Sequence, residues 1–400
     1  MTKIKLVLLI SILAPSVTLA QSKVTLYGVI DEGINFTNNA GGGHQYNLSS
    51  SVLLGSRWGI LGTEDLGGGL SAIFMLENGF DENSGSLGQK NVGSSQGLEF
   101  GRQAYVGLGN QFGTLTFGRQ YDPLYFFVGA MEAAAQWGGT PVAHPGDLDG
   151  FGPTWRINNA ISFKSTNYRG FTFSSMYSLG GVAGESTRNQ IWSAAAGYST
   201  NSLTIRAAYV NARNPNISFF GDNGASSPVT PASNYTSTPV YGGFASAQTY
   251  EVFAMGIAYT LGIATLGSTY SNTRFVGLGN TSASGPNPNG YHGTANFNDV
   301  EVSLKLQVTP SLILGAAANY TNGSPVSTST GSNTGARYYQ ASLGADYYLS
   351  KRTDIYLTST YQKASGTDST GESAVAAITG LTPSRTDRQA TIRLGICHRF

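Results

Sequence analysis

The chain has 400 residues, with 23 Lys and Arg against 22 Asp and Glu and only 11% charged residues. A balance so near neutrality excludes nucleic-acid binding through a basic face. Cysteine occurs once, at Cys397, which excludes an intrachain disulfide and a cysteine-based metal cluster.

Met1-Thr2-Lys3-Ile4-Lys5 is basic and leads into the apolar run Leu6 to Ala14, which is too short to span a bilayer as a helix. Thr18-Leu19-Ala20 supplies small residues for cleavage after Ala20, so residues 1–20 read as a secretory signal peptide, and no Cys follows to take a lipid. Without it the chain loses Lys3 and Lys5, leaving 21 basic residues against 22 acidic ones. No later segment has the apolar length of a transmembrane helix. A chain of this size would ordinarily hold two or three soluble domains, but 53 Gly and 22 Tyr fit one large β-structure over residues 21–400.

From there the sequence divides into sixteen alternating segments. They fall near 23–37, 49–63, 68–82, 97–109, 112–120, 156–166, 169–180, 190–199, 201–212, 248–260, 262–275, 294–308, 310–321, 336–349, 351–363 and 388–400. Their connections switch between very short (Asn110-Gln111, Thr200, Leu261, Ser350) and long (121–155, 213–247, 364–387). Tight turns at one rim and long polar loops at the other are the layout of an outer-membrane barrel, and an even strand number puts both termini on the turn side.

The first strand shows two faces. Val24, Leu26 and Ile30 point one way and Thr25, Tyr27 and Asp31 the other, so lipid meets the first set and the lumen holds the carboxylate. Tyr347, Tyr348, Tyr356 and Tyr361 lie near strand ends, where an aromatic girdle is expected. Three arginines recur at comparable positions: Arg57 before Trp58-Gly59-Ile60, Arg102 before Gln103-Ala104-Tyr105-Val106-Gly107, and Arg156 before Ile157. Alternation puts Trp58/Ile60 and Tyr105/Gly107 outward and the arginines inward. Each could instead snorkel from a strand end to the membrane interface, but three together favour a basic wall in a lumen.

Histidines 44, 144, 292 and 398 are scattered without metal-ligand spacing, and Gly41-Gly42-Gly43 and Gly67-Gly68-Gly69 open no helix, so neither a metal centre nor a phosphate cradle is expected. No catalytic residue and no cofactor follow from these patterns. At the end, Ile392, Leu394, Ile396 and Phe400 form the apolar face of a strand, while Cys397 falls on the inward face. In a soluble protein such an uncovered edge invites aggregation; in a barrel it closes against the first strand.

Several stretches resemble the trimeric general porins of Gram-negative outer membranes: Val24-Thr25-Leu26-Tyr27-Gly28, Gly55-Ser56-Arg57-Trp58-Gly59, Glu64-Asp65-Leu66-Gly67, Phe100 to Leu108, Phe117-Gly118-Arg119-Gln120-Tyr121, Leu349 to Asp354 and Gly395 to Phe400. The resemblance implies an all-β, sixteen-stranded antiparallel transmembrane β-barrel with an inward-folded third loop. It also implies a homotrimer in outer-membrane lipid passing ions and small hydrophilic solutes, and a terminal Phe400 read by the assembly machinery. Arg57, Arg102 and Arg156 match the family's wall arginines. The third loop, 121–155, should oppose them with a carboxylate, Glu132 first and Asp122 second, and Ala133-Ala134-Ala135 suits a short helical turn against the wall. Two other readings stand beside the diffusion pore: a substrate-selective porin, marked by a row of lumen aromatics, and an adhesin or structural barrel acting through its loops.

Overall fold

A computed structural model describes residues 22–89, 97–152, 155–218, 220, 234, 235, 238–282 and 284–400. The expected signal peptide lies outside the described residues. Nineteen strands follow in chain order: β1 Lys23–Ala40, β2 Gly43–Ser50, β3 Arg57–Gly67, β4 Leu70–Gly79, β5 Gln103–Asn110, β6 Gly113–Gln120, β7 Ile157–Ser165, β8 Phe171–Ser178, β9 Ile191–Ser199, β10 Leu203–Arg213, β11 Thr249–Leu261, β12 Ala264–Leu278, β13 Gly293–Thr309, β14 Leu312–Gly323, β15 Ser327–Thr328, β16 Gly331–Ser332, β17 Ala336–Tyr348, β18 Thr353–Gly366 and β19 Arg388–Arg399. The two-residue strands β15 and β16 form a separate hairpin on one loop. β2 and β3 lie end to end along the same edge of β1, pairing with Glu32–Ala40 and Lys23–Val29 respectively, and so make one stave. The remaining strands pair with their sequence neighbours, giving sixteen antiparallel staves.

β19 closes the barrel. It pairs antiparallel with β1 from Val29↔Arg399 to Thr37↔Thr391. Gly28 and Phe400 then exchange both backbone hydrogen bonds at 3.0 Å. The Phe400 ring lies over Gly28, where a Cβ would collide with it. Among the described residues the large sheet leaves no edge unpaired, which is the condition for a sheet in hydrocarbon.

The faces are reversed relative to a soluble protein. Leu26, Leu343 and Leu394 are 63%, 65% and 59% exposed, while inward Thr273, Thr321 and Gln362 are at 0%. Water-facing burial arises because loops fill much of the barrel interior. Tyr347 and Tyr361 join the outer surface as expected, but Tyr356 is buried inside, donating to Asp31 Oδ1 at 2.5 Å.

Three local expectations are corrected. The second stave is broken at residues 51–56: the Asp31 carboxylate accepts from Leu53 and Leu54 N–H, Ser51 N donates to Asp31 O at 2.8 Å, and Ser51 takes φ 68°. A lumen carboxylate thus draws the chain out of the ladder. The preceding connection is a hairpin extension of β1 and β2 whose tip, Gly41-Gly42, takes φ 63° and 104°, a left-handed turn that glycine supplies. Residues 97–102 precede β5 rather than belonging to it, so the phase inferred from Arg102 does not carry into the strand. Val106 and Leu108 face out, and Tyr105 and Gly107 face in.

Candidate functional site

Arg57 opens β3 at the break in the second stave, and Arg102 and Arg156 stand immediately before β5 and β7, where loops enter their staves. The fold brings them together. Arg57 Nε is 3.4 Å from Glu77 Oε2, and Arg102 Nε donates to Glu77 Oε1 at 2.9 Å. Tyr27 Oη donates to Glu77 Oε2 at 2.7 Å. Arg156 donates to Tyr121 Oη from Nε and Nη2 at 3.2 and 3.0 Å, and the guanidiniums of Arg102 and Arg156 lie 5.8 and 5.1 Å from the Tyr121 ring centre. Tyr121 stacks on Tyr125 at 4.5 Å. The three arginines border one cavity of about 470 Å³, lined also by Asp81 and by Glu132, Ala134, Ala135, Gly139, Thr140 and Asp147 of the third loop.

That loop crosses the lumen. Asp122 caps the single-turn helix α1, Pro123–Phe127, accepting from Tyr125 N–H at 3.0 Å. Leu124 and Phe127 pack into the interior, and Arg206 of β10 donates to Phe127 O at 3.0 Å. Ala133 N–H reaches Glu301 Oε1 of β13 at 2.8 Å. A second turn, Ala134–Gly138, ends with Gly139 N–H on Ala134 O at 2.9 Å, so the alanines form the expected turn. Trp137 then seats on Gly315 and Gly344, directly paired on β14 and β17, where any side chain would strike the indole. Gln340 of β17 donates to Val142 O and Ala143 O at 3.0 Å, and Thr140 N–H bonds Val52 O at 2.8 Å. The loop's rim therefore rests in the break of the second stave.

Beyond it, Trp155, Tyr235, Tyr241, Tyr250, Phe275 and Phe297 build a continuous buried aromatic core inside the barrel. It holds the long loops together and leaves the aperture beside the arginines.

Of the two acidic residues expected on the loop, Glu132 lines the cavity beside the arginines and Asp122 does not. Glu132 is at 0% exposure, its carboxylate accepting from His144 N–H of the same loop at 2.8 Å with His144 Nε2 3.7 Å away. Burial, with Glu301 and Asp149 nearby, holds its pKa well above the carboxylate range despite His144. Asp122 is spent on the cap, and burial raises it to about 6. His144 is buried, which disfavours charging it, but Asp299, Asp149 and Glu132 outweigh that and hold its pKa well above the imidazole range. The carboxylate that meets Arg57 and Arg102 is Glu77, on the inner face of β4. The sequence signal available was its inward phase opposite Gly59.

A profile of the Gram-negative porin family matches residues 6–367. The chain belongs to that family. This porin is 29% identical over 363 residues to an outer-membrane porin protein of Bordetella pertussis, covering 86% of this chain and 90% of that one. It is 26% identical over 412 residues to outer membrane porin protein 32 of Delftia acidovorans, covering all of both. Among solved structures, one described as an anion-selective porin from Comamonas acidovorans superposes with a TM-score of 0.69 at 20% identity, covering 95% of this chain and 100% of that one. The porin resides in the outer membrane of a Gram-negative cell.

Proposed function

We propose that this porin is a general diffusion channel whose aperture is set by Arg57, Arg102 and Arg156 on one side and the third loop on the other, with a preference for small anions. The observation that carries the reading is the disposition of charge at that aperture: three guanidiniums line it, Arg57 and Arg102 sharing Glu77, while of the cavity's own carboxylates Glu132 and Asp147 are buried and Asp81 is half-buried. Arg206 and Lys305 line a second cavity on the turn side of the loop, extending the positive potential along the path. Such a field concentrates anions without requiring a binding step. The relative described as anion-selective leans the same way. Glu132 and Asp122 then act as supports of the loop rather than as its field-setting face.

A substrate-selective track is less well supported, because the large aromatic assembly inside the barrel is buried. Phe400 serves as the assembly signal, and the porin works as a homotrimer in outer-membrane lipid. Liposome swelling with neutral sugars of increasing size tests the reading. Swelling rates should fall smoothly with solute size and show no saturation, whereas one sugar entering far faster than smaller ones would indicate a selective porin, and no swelling a non-channel barrel.

A further inference from the structure

Where the third loop packs against β13 lies a buried cluster, of which Glu132 also borders the cavity beside the arginines. Glu132, His144, Asp149, Asp299 and Glu301 are each at 0–1% exposure. The loop contributes three of them and β13 two. Their hydrogen bonding leaves a pattern. Glu132 Oε1 accepts from His144 N–H and Glu301 Oε1 from Ala133 N–H, each at 2.8 Å. His144 Nδ1 pairs with Asp149 Oδ2 at 2.8 Å, and that oxygen also accepts from Ser271 Oγ at 2.7 Å. Glu132 Oε2, Glu301 Oε2 and His144 Nε2 have no hydrogen-bond partner among the described residues. Burying three such atoms side by side is costly, and native interiors avoid it.

We propose that Glu132, His144 Nε2 and Glu301 hold a divalent transition-metal cation of the Zn²⁺ class, which clamps the third loop to the barrel wall. One ligand atom from each residue lies within 4.8 Å of the others, and His144 Nε2 is 3.7 Å from Glu132 Oε1 and 3.8 Å from Glu301 Oε2. Tetrahedral Zn²⁺ at about 2.0–2.2 Å from each ligand sets neighbouring ligands roughly 3.3–3.5 Å apart. The two distances from His144 Nε2 lie within a few tenths of an ångström of that spacing. Asp149 stands where a metal-bound imidazole needs an acceptor, fixing Nδ1–H and leaving Nε2 for the cation. One imidazole with carboxylates suits a first-row transition metal better than Ca²⁺ or Mg²⁺, which favour all-oxygen sets. The ligands sit at 132, 144 and 301, so the site exists only when the loop is docked, and linear ligand spacing could not reveal it.

The test uses folded, full-length porin in detergent, stripped with a chelator and then titrated with Zn²⁺ or Co²⁺ in excess Mg²⁺. The proposal expects one Zn²⁺ per chain by elemental analysis, a visible Co²⁺ spectrum of tetrahedral type, and a raised unfolding temperature. His144→Gln and Glu301→Gln should lose the stoichiometric metal, and Asp149→Asn should bind about 10–100-fold more weakly. The Co²⁺ spectrum of the wild type needs no variant, so a misfolded mutant does not blunt the test. Wild type that takes up no stoichiometric Zn²⁺ or Co²⁺, or variants that bind as tightly as wild type, would overturn the proposal and leave a cluster neutralised by protons alone. Neither result depends on the pore's selectivity.

Discussion

Replacing Arg57 by serine isolates the aperture field, because Arg57 is the most accessible of the three arginines, with 22% of its side chain exposed. Arg57 and Arg102 share Glu77, so the group carries one net positive charge, and losing Arg57 makes it neutral. An ion passing at about one Debye length, roughly 8 Å at physiological salt, feels a unit charge as about 0.5 kcal/mol in water-like surroundings and about 2 kcal/mol at an effective dielectric of 20. Salt screening lowers both figures. The charge acts with opposite sign on anions and cations, so their permeability ratio changes by twice the energy, about 1 kcal/mol or roughly fivefold at the water-like end. The assay is the zero-current potential across a planar bilayer under a salt gradient. Arg57→Ser should move it toward cations and raise conductance by widening the aperture, while Arg57→Lys should hold it near wild type. An unchanged potential in Arg57→Ser would refute the placement of the field.

Glu77→Gln should shift the same potential toward anions; it also leaves Arg102 buried without its carboxylate, so heat-resistant barrel content should fall. Trp137→Ala removes the indole seated on Gly315 and Gly344 and should cost about 3–5 kcal/mol, read as a lower unfolding midpoint and noisier single-channel current. Phe400→Ala should reduce outer-membrane levels without altering the conductance of inserted channels; unchanged levels on quantitative blotting would contradict a role in closure and recognition. Asp122 has a folded pKa of about 6, above its unfolded value. Its contribution to stability is therefore full below the unfolded pKa and is lost as pH rises through about 6. Asp122→Asn keeps a capping side chain, so its unfolding midpoint relative to wild type should rise between pH 4 and pH 7.

The barrel was legible because period-two alternation reports directly on a sheet with lipid on one side and polar groups on the other. Ile392, Leu394 and Ile396 announce their face without any partner. What escaped depends on groups distant in sequence. Ser51-Val52-Leu53-Leu54 reads as strand until the Asp31 carboxylate takes Leu53 and Leu54 N–H. Tyr105 faces inward although alternation from Arg102 turns it outward, because Arg102 lies outside the strand. Glu77 meets Arg102 across paired staves, a contact with no linear signature. Glu132 meets His144, whose Nε2 also faces Glu301, 169 positions from Glu132, and only the docked loop brings the three together.

The central claim, an open pore with a net positive aperture, is tested most directly by reconstituting the wild-type porin in a planar bilayer. The account predicts stepwise, ohmic conductance increments without added ligand and a zero-current potential of anionic sign under a potassium chloride gradient. Absence of conductance steps, or a potential of cationic sign, would contradict it.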